Sequence, residues 1–193
     1  KEKTGSVNDW VVYHHKNTSD PETDYLILNE ANATADSNTV WNDTAPTSSV
    51  FTVGTGSVVN RNSSTYIYYL WTEIQGYSKF GSFTGNNNAD GIFVYTGFKP
   101  AWVMTKSSNQ GGTHYDWVMF DNKRNTGNPN DDFLDANNTG AETTSGRNII
   151  DFLSNGFKCR SSYGDLNSNT DYIYFAFAES PFVNSNGIPT NAR

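Results

Sequence analysis

The chain has one cysteine, Cys159, so no disulfide can staple it internally. In GFKCR (156–160) it reads as a small buried strand residue, with no local base to activate it. Lys and Arg number 13 against 20 Asp and Glu, a net charge of −7. The few basic residues are scattered and form no stripe for a phosphate backbone, which argues against nucleic acid as a partner. No apolar run approaches the ~20 residues of a membrane-spanning helix, so no membrane insertion is expected. Of the three histidines, His14 and His15 adjoin in an expected strand and should point to opposite faces, and His114 stands alone. No zinc-type spacing is present, and no metal site is expected. A G-x-S-x-G elbow, a calcium-loop spacing at GNNNADG (85–91) and a phosphate loop leading into a helix are all missing. The expectation is no catalytic residues, no cofactor and no enzyme.

What is abundant is aromatic. Tyr, Phe and Trp number 11, 12 and 5, with Asn, Gly, Ser and Thr filling much of the rest. Aromatics favour strands, and Asn and Gly favour turns. No window keeps a helical period. Period-2 runs and short apolar blocks predict strands at 10–15, 24–29, 49–53, 65–74, 79–84, 91–97, 101–106, 116–121, 149–153, 157–160 and 171–179. The expected fold class is all-β, an antiparallel β-sandwich of jelly-roll or concanavalin-like type.

The sequence also says much the same thing twice. WVVY at 10–13 answers WVMF at 117–120, an offset of 107, and YIYYLWTE at 66–73 answers YIYFAFAE at 172–179, an offset of 106. This predicts two related copies: a first, N-terminally incomplete repeat over 1–80, a complete one over 81–180, and an irregular tail over 181–193. The segment 83–106 has no counterpart ahead of Trp10, so further repeat material upstream is expected. Both closing strands are apolar on both faces, the pattern of a strand covered on two sides or meeting another subunit.

Binding residues are sought among aromatics in or beside loops, which can stack on sugar rings while Asn and Asp fix hydroxyls. Trp41, Tyr77, Tyr115 and Tyr163 are the candidates, with Asp131 and Asp132 as the polar partners. Trp10, Trp102 and Trp117 sit inside strands and are expected in the core. Five N-x-[ST] sequons, at Asn17, Asn32, Asn42, Asn62 and Asn137, are too easily produced by this composition to carry weight.

The ordered blocks are more specific than any single motif. WNDTAPTSSVFTVG (41–54), YIYYLWTEIQGYSKFGSFTGN (66–86), DGIFVYTGFKPAWVMTK (90–106), DFLSNGFK (151–158) and YIYFAFAESPF (172–182) together resemble a repeat family of large virion proteins in tailed bacteriophages, especially marine ones. The closing NAR (191–193) fits that family; Ile92 and Lys99 depart from its usual Pro and Arg. The resemblance implies a non-enzymatic structural or adhesive virion component, from the C-terminal part of a tail fibre or related appendage, extracellular and contacting the host surface. It implies a homo-oligomer, trimer preferred, with other virion proteins and a host surface glycan as partners. The alternatives are a lectin-like carbohydrate-binding module and a polysaccharide-degrading enzyme.

Overall fold

The computed structural model describes residues 1–4, 8–144, 146 and 149–180. Among the described residues, twelve strands and three one-turn helices follow in order. They are β1 (Val11–Val12), β2 (Asp24–Ile27), β3 (Ala35–Asp36), α1 (Asn38–Trp41), α2 (Ser57–Asn60), β4 (Ser78–Thr84), β5 (Phe93–Tyr95), β6 (Pro100–Ser107), β7 (Val118–Asp121), β8 (Asp132–Asp135), β9 (Thr143–Thr144), β10 (Ile150–Leu153), β11 (Gly156–Cys159), α3 (Gly164–Asn167) and β12 (Asp171–Ala178). Every pairing is antiparallel.

A six-stranded sheet, β4-β12-β6-β7-β8-β9, faces the three-stranded sheet β10-β11-β5. Between them lies the main core, including Val94, Val103, Phe120, Phe133, Phe157, Tyr174 and Ala176. The chain is therefore an antiparallel β-sandwich. β12 is central because its alternation buries both faces. Tyr174 and Ala176 enter the main core, while Ile173 and Phe175 join a second cluster with Trp117, Leu26, Val12 and Leu28. That second cluster is the docking face of the remaining sheet, β1-β2-β3. The outer face of β12, expected at a subunit contact or under cover, is thus covered within one chain. Gly81 opposes Tyr174 across β4 and β12, and a Cβ there would sit 2.6 Å from the tyrosine hydroxyl.

The same local bonds recur in the two halves. Asn29 Oδ1 accepts from the Trp10 amide at 2.8 Å and its Nδ2 donates to Asp9 at 2.9 Å; Asn137 does the same for Trp117, at 2.8 Å, and Asp116, at 2.6 Å. Val12 pairs with Leu26 as Met119 pairs with Leu134, and Asp24 pairs with Asp36 as Asp132 pairs with Thr144. After α2, Tyr66 Oη accepts from the Arg61 amide at 2.7 Å, as Tyr172 Oη accepts from the Ser168 amide at 3.0 Å after α3. Trp10 stacks on Tyr69 at 5.9 Å, and Trp117 meets Phe175 at 6.2 Å.

Beyond those bonds the halves differ, and several expected elements are corrected. Residues 49–53 and 65–74 form no strand: apart from two isolated bridges, Glu2 with Tyr66 and Ile74 with Ser78, they are irregular. A strand needs a neighbour to satisfy its backbone groups. β11 has β5 and β12 has β4 and β6; their first-half counterparts have no such partners among the described residues. The strands at 35–36, 132–135 and 143–144 are not expected from the pattern, being short or acidic. The boundary expected at 80/81 falls inside β4. The tail expected over 181–193 lies outside the described residues.

Candidate functional site

A cleft of 470 Å³ lies between the 113–115 turn and the loop entering α3, lined by Thr113, His114, Tyr115, Ser161, Ser162, Tyr163 and Gly164. The Ser161 hydroxyl accepts from the Tyr163 amide at 3.1 Å. The Tyr163 ring packs between His114, at 5.7 Å, and Phe133, at 5.9 Å. The two loops touch only because residue 164 is glycine: a Cβ there would lie 2.5 Å from the His114 carbonyl oxygen. His114 turns this corner with φ 68°, in the left-handed region.

Asp165, next in sequence to the cleft residue Gly164, and Lys106 are both buried. Asp165 is 1% exposed, and its Oδ1 accepts from the Asp116 amide at 2.6 Å. Burial pushes its carboxyl up to about 6, against the pull of the Asp116 amide and the Tyr163 side chain. Lys106 is fully buried, and its Nζ donates to the carbonyls of Ser107, at 2.8 Å, and Gln110, at 3.2 Å. Burial brings it down to about 8, while Asp116 and Asp165 hold it up. Asp165 thus holds the backbone of Asp116, the neighbour in sequence of the cleft residue Tyr115. The accessible surface is two phenol rings, an imidazole and the three hydroxyls of Thr113, Ser161 and Ser162, an arrangement that can stack against a neutral polar ring and hydrogen-bond its edge.

The structure brings together two of the six candidate residues, Tyr115 and Tyr163. Trp41 ends α1 and is 7% exposed, its indole N–H donating to the Asp24 carbonyl at 3.0 Å and Tyr13 packing edge-on. The expectation of an exposed loop indole is corrected here: Val40 and Val59 pack with Trp41 in a third small cluster. Tyr77 is 40% exposed beside β4 and meets Phe177 edge-on at 6.0 Å. Asp131 accepts from Asn125 Nδ2 at 3.0 Å, shaping its own loop, and Asp132 pairs with Thr144 across β8 and β9. None of these four lines the cleft. Sequence reasoning missed His114, Ser161, Asp165 and Lys106. The one local signal was Tyr-Gly-Asp at 163–165, a glycine between an aromatic and a carboxylate.

His14 and His15 do not point apart. β1 ends at Val12, and in the turn that follows their rings stack at 5.3 Å. His14 is 4% exposed, lies edge-on to Phe175 at 4.9 Å, and burial lowers it to about 4. Cys159 is fully buried and its thiol is pushed up to about 12. Trp117 is fully buried, as expected; Trp10 and Trp102 are half-buried. No group of three or more His, Cys, Asp or Glu able to hold a metal occurs among the described residues. Among those residues no helix is long and apolar enough to cross a membrane.

A second concavity, of 880 Å³, opens in the first half, with Trp10, Trp41, Phe51, Tyr69 and Trp71 among its walls. Tyr69 and Trp71 stack at 6.1 Å, and they are 59% and 61% exposed.

Residues 1–181 match a family described as a domain of unknown function (DUF7483), and the chain belongs to that family. No curated protein and no solved structure matches it.

Proposed function

We propose that this member of the DUF7483 family is a non-enzymatic structural and adhesive module of a virion, from the C-terminal part of a phage tail fibre or related appendage. Its two halves are read as copies of one repeat. The observation that carries this reading is the pair of matched brackets, Asn29 on Asp9 and Trp10, Asn137 on Asp116 and Trp117. Modules built on one frame and packed face to face suit a repetitive extracellular assembly, which resists without disulfides by burying sheet faces against neighbours. The sequence blocks that resemble phage virion repeats point the same way. In this reading the partners are further virion proteins and copies of the chain itself, trimer preferred, at the host surface.

The test is immunogold electron microscopy of the phage that encodes the chain, with antibody raised to the chain. Labelled appendages and antibody-blocked adsorption are expected. Label confined to infected-cell lysate, with bare particles, would overturn the reading.

The Tyr115–Tyr163 cleft favours a second reading, a lectin-like module, carried on the virion or free. Glycan-array binding that disappears in Tyr163→Ala and Tyr115→Ala would support it. An array without hits, or hits unchanged in both variants, would remove it.

A further inference from the structure

In the second half, β12 is zipped between β4 and β6 over its whole length, and β11 pairs with β5. In the first half, the backbone of the matching stretch 66–72 is bonded, among the described residues, only at its ends, where the Thr72 carbonyl accepts from the Ser78 hydroxyl at 2.8 Å and residues 1–3 meet its start. Glu2 bridges Tyr66, the Ile67 amide donates to the Lys1 carbonyl at 3.0 Å, and the Lys3 amide donates to the Thr65 carbonyl at 2.8 Å. Glu2 opposite Tyr66 repeats Ser107 opposite Tyr172, so residues 1–3 stand where the end of β6 stands in the second half. From residue 68 to residue 71 no backbone partner occurs among the described residues, and Leu70 and Trp71 are 70% and 61% exposed. The counterpart of Leu70 is Ala176, which is fully buried in the sandwich core.

The 880 Å³ concavity lies on this stretch and on residues 49–52, the counterpart of β11. In the second half, both of these places are filled by one continuous segment. Phe93–Tyr95 pairs with β11, the chain turns, and Pro100–Ser107 pairs with β12, delivering Val94, Phe98 and Val103 to the core. A segment of this kind, with no counterpart in the first half among the described residues, thus accounts for two irregular stretches and one open cavity.

We propose that the first half is a strand acceptor. Its occupant is a polypeptide strand pair with the pattern of residues 91–105, presented in continuity with Lys1, its second strand pairing with 66–72 and its first with 49–53. The chemistry that recognises it is the row of backbone donors and acceptors at residues 68–71, which have no partner among the described residues, beside an aromatic-lined apolar trough; on the 49–53 side Ser49 and Val50 bond only to the nearby Thr47 and would exchange those bonds for the incoming strand. A second copy is a poorer occupant, because its own β5 and β6 are already paired. The inference rests on reading the halves as copies of one repeat; it is independent of any virion location.

The test copies residues 78–105 ahead of Lys1 in the full chain, with a scrambled copy as control. Hydrogen exchange at residues 68–71 should slow at least tenfold with the native copy and not with the scrambled one. In a second arm, a synthetic peptide of residues 91–105 is titrated onto the unmodified chain and followed by tryptophan fluorescence. Leu70→Lys should weaken that binding at least tenfold without moving the unfolding midpoint of the unextended chain. If the extended chain does not fold, the peptide arm decides. Unslowed exchange with the native copy, or no peptide binding, overturns the proposal. So does an unextended chain that is dimeric by light scattering with 68–71 already protected, which would give the face to a second copy.

Discussion

The indole N–H of Trp117 donates to the carbonyl of Ile27 at 2.8 Å, tying the second half to the first across 90 residues of sequence. The ring is fully buried in the cluster that joins the six-stranded sheet to β1-β2-β3. Trp117→Ala removes both the packing and the bond, and should destabilise the chain by about 3–5 kcal/mol in urea unfolding. Trp117→Phe keeps most of the packing and removes only the indole bond, leaving the Ile27 carbonyl to the Glu30 amide at 3.3 Å, and should cost clearly less. Equal losses from the two variants would mean that the hydrogen bond, and not the packing, holds the indole in place.

Asn137 braces the same residue from the backbone side. In Asn137→Ala the Trp117 amide loses its acceptor and Asp116 its donor. A buried donor left unpaired costs ~1–3 kcal/mol. Asn29→Ala should cost less, because Trp10 is only half-buried and water can reach its amide. Thermal unfolding of the two variants side by side checks the order; a larger loss in Asn29→Ala would contradict it.

The pH dependence of stability should come from two buried groups that oppose each other. His14 is held neutral, at about 4 when folded, so its contribution is complete above the ordinary histidine value and is lost as pH falls toward 4. Asp165 is raised to about 6, so its contribution is complete below the ordinary carboxylate value and is lost as pH rises through 6. Each displacement corresponds to roughly 3 kcal/mol. The wild-type slope between about pH 4 and 6 should therefore be shallow. Asp165→Asn should unmask a stability that rises with pH, and His14→Gln one that falls. Flat profiles in both variants would show that neither group titrates this way.

Gly164→Ala should pry the cleft open. The added methyl would meet the His114 carbonyl oxygen at 2.5 Å, and backbone cannot yield as a side-chain tip can. A loss of ~1–3 kcal/mol and a changed Tyr115–Tyr163 spacing in a crystal structure are expected. An unchanged melting temperature would show that the two loops part at no cost.

Much of the fold was legible because strand alternation is local. The two-faced pattern of 172–178 announced a central strand, and Trp117 in an apolar run announced a core residue. What failed was what depends on neighbours. Residues 66–73 carry nearly the same pattern as 172–179, yet form no strand, because the pattern supplies side chains while the partners supply hydrogen bonds. Trp41 read as a loop aromatic because SNTVW (37–41) is too short to show a helical period and nothing local reveals its packing on Val59. The cleft was half visible: its tyrosines stood out, but His114 joins them only through the contact that Gly164 permits.

We propose one frame used twice, closed in the second half and, among the described residues, open in the first. Amide hydrogen exchange on the unmodified chain tests it most directly. The amides of residues 173–177, zipped between β4 and β6, should exchange only through global unfolding, while those of residues 68–71 should exchange near the rate of an unstructured peptide. Equal protection of the two stretches would contradict the account, because the first half would then already hold the strands it is said to await.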